Sequence, residues 1–309
     1  MNNHFGLSFT PEHLCYAYFV AGDDKPALDR VGKISYSVPY QEDLFYSDSN
    51  TANILELLKT VLSAVKSDSV KISVSIESNL GILKRVVYPL NLDDAGKKEH
   101  IHWDLTESLT LPITEYSYFR SPNCFAFKDF VEELVIAVPR RVLKFFRTLA
   151  GGLSVELANI IIHQLAAELL VQNALDEQLE KLVVLQKISG KRIESTFLWN
   201  GTYYSSHYDM LQNNTEISNL IELLKDKIGY IENLFEQYGE KNILVDRILL
   251  YGDELKDDLI QKIQKNMSIP VDRLNIMQNL TLSQELQNSL PTDQELSSYV
   301  ECIGVTLDV

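Results

Sequence analysis

His100 and His102 flank a single isoleucine, Ile101. On a strand both imidazoles would face one way and share a metal ion. On a helix they diverge by about 200°. The residues around them, Asp93 to Leu109, have helical composition, so no metal site is expected there. His163 lies in an apolar run beside Leu165 and Ala166 and reads as a hydrogen-bonded core histidine. Asp93-Asp94 and Asp257-Asp258 are adjacent acids beside predicted helices, where solvated surface or helix-end charge explains them without acid–base catalysis. Neither a Gly-x-Ser-x-Gly elbow nor a Walker loop occurs, which removes the common serine-hydrolase and P-loop readings. Cys15, Cys124 and Cys302 are far apart, with no Cys-x-x-Cys, so neither a disulfide framework nor a cysteine zinc site is suggested.

The chain that must position any such chemistry has 309 residues and a formal charge of −15, from 28 Lys and Arg against 43 Asp and Glu. That balance disfavours nucleic acid, and no dense basic patch offsets it. The longest apolar stretch, Leu157 to Val171, is interrupted by Asn159, His163, Gln164 and Glu168 and is too short to span a bilayer. The start, Met1-Asn2-Asn3-His4, has no secretory pattern, so a cytoplasmic location is expected.

Hydrophobic spacing gives the elements. Phe5 to Val20 reads as two strands around Pro11, and Val31 to Val38 as a third after a turn at Gly22-Asp23-Asp24. Residues 40 to 51 read as a loop. Ile54, Leu57, Leu58, Val61, Leu62 and Val65 predict an amphipathic helix over 52–66. Val70 to Ile76 alternates with Lys71, Ser73 and Ser75, predicting a strand with one buried face, hairpinned to Leu83–Tyr88. Tyr116 onward and Leu134–Val138 read as extended. Val142–Leu149 reads as a short helix stopped by Gly151-Gly152. A long helix is predicted over 155–180. Strands follow at Leu182–Leu185 and Ile193–Leu198, with an Asn200-Gly201 turn into a return strand at Tyr203-Tyr204. A strong helix starts at Ile217, Ile248–Tyr251 is a buried strand, 254–266 is a helix, and Val271 and Val300–Val309 are strands. Each half runs strand block, helix, short apolar strands, without a fixed-period repeat. A two-lobed α/β protein is the expectation.

This order of elements resembles the PilM family of type IV pilus assembly proteins, which are actin-like and related to the cell-division protein FtsA. Phe5-Gly6-Leu7-Ser8 stands where the family opens with a phosphate-binding hairpin. The run from Ile101-His102-Trp103-Asp104-Leu105 to Leu111-Pro112, then Glu115-Tyr116-Ser117-Tyr118, is similar to the helix and strand of the family's inserted subdomain. Glu133–Val138 with the helix before Gly151-Gly152-Leu153 is similar to the unit closing that insert. Ile248-Leu249-Leu250-Tyr251-Gly252, then Ile269-Pro270-Val271, resembles the strand leading to the adenosine site. The resemblance implies a two-lobed actin-like fold with a first lobe at 1–181, an FtsA-type subdomain inserted at about 82–152, and a second lobe at 182–309.

It also implies where a nucleotide would sit, and there the sequence departs from the family. Ser8 replaces the expected aspartate in the first hairpin, with Thr10 nearby and no glycine from Leu7 to Ala21. Gln186-Lys187-Ile188 replaces Asp-Ile-Gly in the second, with Ser189 and an offset Gly190. Gly252-Asp253 replaces the glycine pair by the adenosine. Without the two acids magnesium loses ligands, and without the glycines Cβ atoms crowd the phosphates. The expectation is a pseudo-ATPase with no cofactor. The alternative is a nucleotide-binding ATPase or switch, with Lys187 supplying charge and Ser8, Thr10 and Ser189 hydroxyls. The resemblance further implies a scaffold of a type IV pilus or related secretion system that binds a short cytoplasmic peptide of an inner-membrane partner. Arg85, Trp103 and Tyr116 fall in the matching region, self-association is possible, and no membrane insertion of its own is expected.

Overall fold

The structure is a computed structural model and describes residues 3–10, 13–22, 25–36, 47–63, 70–174, 182–190, 192–210, 217–253, 255–278, 280–289 and 292–307. The predicted features at 23–24, 37–46, 64–66, 175–180, 254 and 308–309 lie outside them.

The first sheet contains β1 (Asn3–Phe9), β2 (His13–Val20), β3 (Ala27–Ser35), β4 (Val70–Ile76) and β8 (Glu156–Ile162). The second contains β9 (Leu182–Ser189), β10 (Arg192–Trp199), β11 (Thr202–Met210), β12 (Val245–Tyr251) and β13 (Val271–Arg273). Their orders, β3-β2-β1-β4-β8 and β11-β10-β9-β12-β13, are the same pattern twice. In each, three antiparallel strands are followed by two parallel ones, with Phe5 opposite Ile72 in the first and Val184 opposite Ile248 in the second. Asn200 and Gly201 both have positive φ, 51° and 74°, the geometry a two-residue hairpin needs between β10 and β11.

Helices cover both sheets. Helix α1 (Asp48–Ser63) buries Ile54 and Leu58 against Leu7, Val74 and Ile76. Between β4 and β8 the chain builds a third sheet, β5-β7-β6, from β5 (Ile82–Pro89), β6 (Tyr116–Ala126) and β7 (Phe130–Pro139). Its helix α2 (Asp94–Ser108) starts where Asp93 accepts a hydrogen bond from Gly96 N at 2.7 Å. Ile101 and Leu105, one turn apart, bury against Val86, Tyr88, Val131 and Val135. Helix α3 (Arg140–Leu153) then packs Phe146 and Leu149 under the first sheet, so the inserted sheet and its helix occupy 82–139. Helix α4 (His163–Ala174) crosses to the second lobe, whose α5 (Ile217–Gln237) and α6 (Asp257–Asn266) cover the outer face.

The tail returns to the first lobe. Strand β14 (Thr281–Leu282) pairs with β3 at Ala27 and Leu28. After α7 (Gln284–Ser289) and α8 (Asp293–Leu296), α9 (Val300–Gly304) lies between α4 and β1. The last part of the span 182–309 is therefore packed on the first sheet. A central core of Cys15, Ala17, Leu170, Val171, Leu185, Leu249, Val300 and Ile303 joins both lobes through α4 and α9.

Four expectations are corrected. In place of the helix expected over 155–180, the described residues form a strand, β8, followed by α4; the β-branched run Ile160-Ile161-Ile162 favours the pleated form. In place of the terminal strand expected at Val300–Val309, Val300–Gly304 forms the helix α9, whose carbonyls pass close to β1: a Cβ on Gly6 would sit 1.8 Å from Cys302 O. Val70–Ile76 does not hairpin with Leu83–Tyr88; β4 pairs with β1 and β8, and flanked on both sides it buries Ser73 and Ser75 as well as its apolar residues. The Gly151-Gly152 pair does not stop its helix, which runs to Leu153 and is closed by Ser154 in the left-handed region.

Candidate functional site

The residues expected at a phosphate site lie at the lobe boundary, but most are engaged by other residues of the chain. Ser8, at the end of β1, is buried and its Oγ hydrogen-bonds His163 Nε2 at 3.1 Å. Burial, then the charge of Lys187, holds His163 well below its ordinary pKa, so it stays neutral. Thr10 closes its own turn: its Oγ1 donates to His13 O at 2.9 Å and accepts from His13 N at 3.2 Å. Gly6 is a packing glycine, occupied by the approach of α9.

In the second hairpin Gln186 is fully buried. Its Nε2 donates to Glu194 O at 3.0 Å, and its Oε1 accepts from Ser195 Oγ at 2.7 Å. Lys187 carries the positive charge that a phosphate would need. Its Nζ instead lies 2.5 Å from the Glu301 carboxylate of α9. Burial pulls the Lys187 pKa down, but Glu301 and then Glu194 outweigh it and keep the ammonium charged. Glu194 faces Lys187 across the β9–β10 ladder. Burial pushes its carboxyl up to about 7, against the opposing pull of Lys187. Gly190 has φ 56° with open space around a would-be Cβ, a turn position.

The third position is also closed. Gly252 has φ 122°, and a Cβ there would meet Ile188 O at 2.1 Å. Its N–H donates to Ser297 Oγ at 2.9 Å. Asp253 reaches across to the first lobe, 2.6 Å from Lys33 Nζ and 3.7 Å from His13 Nε2. Burial alone would raise its pKa; hydrogen bonds from Lys33 and Ser298 bring it below the usual value. On the opposite rim Glu77 of the first lobe meets Arg192 of the second at 3.0 Å. Among Thr10, Glu77, Lys187, Ser189, Arg192, Glu194 and Tyr208 there remains a cavity of about 30 Å³. That is room for a water or two, where ligand pockets measure roughly 300–1,000 Å³.

The inserted sheet also ties the lobes. Arg85 on β5 donates from Nε to Tyr204 O at 3.1 Å and from Nη2 to Tyr203 O, and its guanidinium lies 4.5 Å from the Phe125 ring centroid. Phe125 stacks on Trp199 at 4.7 Å, and Phe127 and Phe130 each meet Tyr238 at 4.9 Å. Arg85 is thus an internal bolt rather than a partner contact. Tyr116 is buried as well, with its hydroxyl 3.2 Å from Thr110 Oγ1. Trp103 is 59% exposed on α2. The structure does not bring Arg85, Trp103 and Tyr116 together. His100 and His102 sit on α2, as the helical reading requires, and the described residues hold no metal-binding cluster.

A larger opening lies elsewhere. Between the inserted sheet and the first lobe runs a half-open groove of about 480 Å³, lined by Phe119, Leu134, Ile136, Leu143, Ile160 and Leu165. Arg147 and Glu168 supply its charges and Asn123 and Asn159 its amides. One wall is β8, the outermost strand of the first sheet, so among the described residues one edge of its backbone meets no neighbouring strand. Phe119, on the outermost strand of the inserted sheet, is 55% exposed at the rim. Because the sequence pattern at 155–180 reads as helix, the residues of this wall do not stand out as a site in the sequence. The isoleucine triplet after Val155 was the available signal.

No protein-family model and no curated protein sequence matches the chain. Solved structures do. The PilM–PilN type IV pilus biogenesis complex matches at TM-score 0.71 and 12% identity, covering 99% of this chain and 98% of that one. The cytoplasmic domain of EpsL, an inner-membrane component of the type II secretion system of Vibrio cholerae, matches at 0.52 and 9%, covering 99% and 95%. A Bacteroides thetaiotaomicron protein with an actin-like ATPase fold and unknown function matches at 0.47 and 13%, covering 94% and 95%. At these identities the likeness is one of fold: the chain has the two-lobed actin-like fold, and its architecture is like that of PilM.

Proposed function

We propose that this chain is a non-catalytic scaffold of a cell-envelope machine, a type IV pilus or a related secretion system. It sits on the cytoplasmic side of the inner membrane and holds a cytoplasmic tail of a membrane partner. The observation that carries the reading is the 480 Å³ groove beside the unpaired edge of β8. An extended peptide entering it would add a strand to β8 through main-chain hydrogen bonds, and the apolar walls would select its side chains. The fold likeness to the PilM–PilN complex and to EpsL supports the same assignment.

The pseudo-ATPase part of the proposal rests on the interlobe cleft. Lys187, Asp253 and Arg192 are each neutralised by a carboxylate or cation of this chain. The cavity beside Lys187 and Arg192, about 30 Å³, is far smaller than a nucleotide. No described helix is long and apolar enough to cross a membrane, so attachment through a partner is the proposed route.

A photo-reactive residue in place of Phe119, in the cell of origin, tests the groove. The expected result is an adduct with a membrane protein that disappears when Ala158→Arg fills the groove. Failure to form a membrane-protein adduct at Phe119, with the variant stably folded, would overturn the reading.

A further inference from the structure

Trp103 faces away from the core of the inserted subdomain, since Ile101 and Leu105 supply the buried stripe of α2. Its indole, 59% exposed, offers a large aromatic face to a partner. Its surroundings say which kind. Glu99 and Glu107 stand one turn before and one turn after it, each about 40° around the helix from Trp103 at 100° per residue. Both are exposed, and neither pairs with a cation among the described residues. Lys98 lies about 140° away by the same arithmetic, and Lys97 is engaged with Asp94 at 3.6 Å and sits over the Tyr88 ring. His100 flanks the indole, with ring centroids 5.9 Å apart, and is itself held by Val87 O at 2.9 Å.

We propose that this face of α2 is a second docking point for the membrane partner, taking an arginine or lysine side chain of its cytoplasmic segment. The cation stacks on the Trp103 ring, the strongest aromatic acceptor for it, and its N–H groups reach Glu99 and Glu107. The occupant follows from charge. An anionic bilayer would meet two carboxylates and be repelled, whereas segments on the cytoplasmic side of a membrane-spanning helix are enriched in Lys and Arg. The identity of the partner rests on the groove reading given above; the cation preference of the face does not. The face lies across the inserted sheet from the groove, because Leu134 and Ile136 line the groove while Val86, Val131 and Val135 carry α2.

The test uses the full chain and a six-residue amidated peptide of alternating glycine and arginine, with a glycine–glutamate peptide as control, at low ionic strength. Binding is followed by calorimetry and by the emission of Trp103; the other tryptophan, Trp199, is stacked on Phe125 and Phe235. The arginine peptide should bind and the glutamate peptide should not. Trp103→Leu, and separately the pair Glu99→Gln and Glu107→Gln, should each weaken binding about three- to fivefold. The pair Glu222→Gln and Glu236→Gln on exposed α5 positions makes the same change in net charge and should leave binding unchanged. Equal loss from both glutamine pairs, or no loss from the α2 variants, would overturn the site. The Phe119 adduct reports the groove independently. Its absence with the arginine effect intact would remove the groove reading, and a retained adduct without the arginine effect would remove only this site.

Discussion

The interlobe cleft and the groove beside β8 are built from different kinds of residue and end in opposite states. In the cleft, Ser8, Lys187 and Asp253 are held by His163, Glu301 and Lys33 of the same chain, the last two pairs bringing distant segments together. In the groove, apolar side chains and a strand edge converge and leave their outward valence open. A buried charge must find a partner to avoid a large desolvation cost, and here the partners come from the protein itself. A strand edge can wait exposed because water satisfies its amides.

Substitutions at Gly252 should break the cleft side most severely. Gly252→Ala forces a Cβ against Ile188 O at a φ of 122°, so a loss above about 4 kcal/mol, or failure to accumulate folded protein, is expected. Lys187→Met leaves Glu301 buried without its cation and should cost about 3–5 kcal/mol in denaturant unfolding. If that variant lost less than about 1 kcal/mol, the pair would be solvated and the cleft open.

Glu194 gives a pH signature of the same closure. Its folded pKa, about 7, lies above the unfolded carboxylate value, so the folded state keeps a proton that the unfolded state releases. Its contribution is therefore full below about pH 4.5 and is lost as pH rises to about 7, by about 3 kcal/mol in all. Glu194→Gln should remove that slope. Wild type minus variant is the quantity to follow, because His4, held by burial at about 4, changes stability the other way in the same window, gaining as pH rises. Ala158→Arg should have the smallest effect on stability, within about 1 kcal/mol as for a surface substitution, while abolishing membrane-partner capture. Equal damage to stability would mean the groove wall is core.

The sequence reading recovered the duplicated lobes because their amphipathic helices and alternating strands carry local signals, as in α1, α5 and the β10–β11 turn. What it could not read was pairing at a distance: Lys187 meets Glu301, and Asp253 meets Lys33, through α9 and β3 brought in from far along the chain. It misread β8 and α9 because a short apolar run fits strand and helix alike. That error concealed the groove, whose wall is β8. Arg85 and Tyr116 match the family only by position, and position does not report burial. Trp103 was the one of the three that the fold left at the surface.

The central claim is that the cleft is filled by its own side chains. Thermal unfolding with and without millimolar Mg-ATP tests it most directly. A ligand at about 100 times its dissociation constant adds roughly 2.7 kcal/mol, which should move the midpoint of a chain this size by several degrees. The account predicts no shift. A magnesium-dependent rise of several degrees would contradict it, and would mean that the Lys187–Glu301 pair opens to admit a nucleotide.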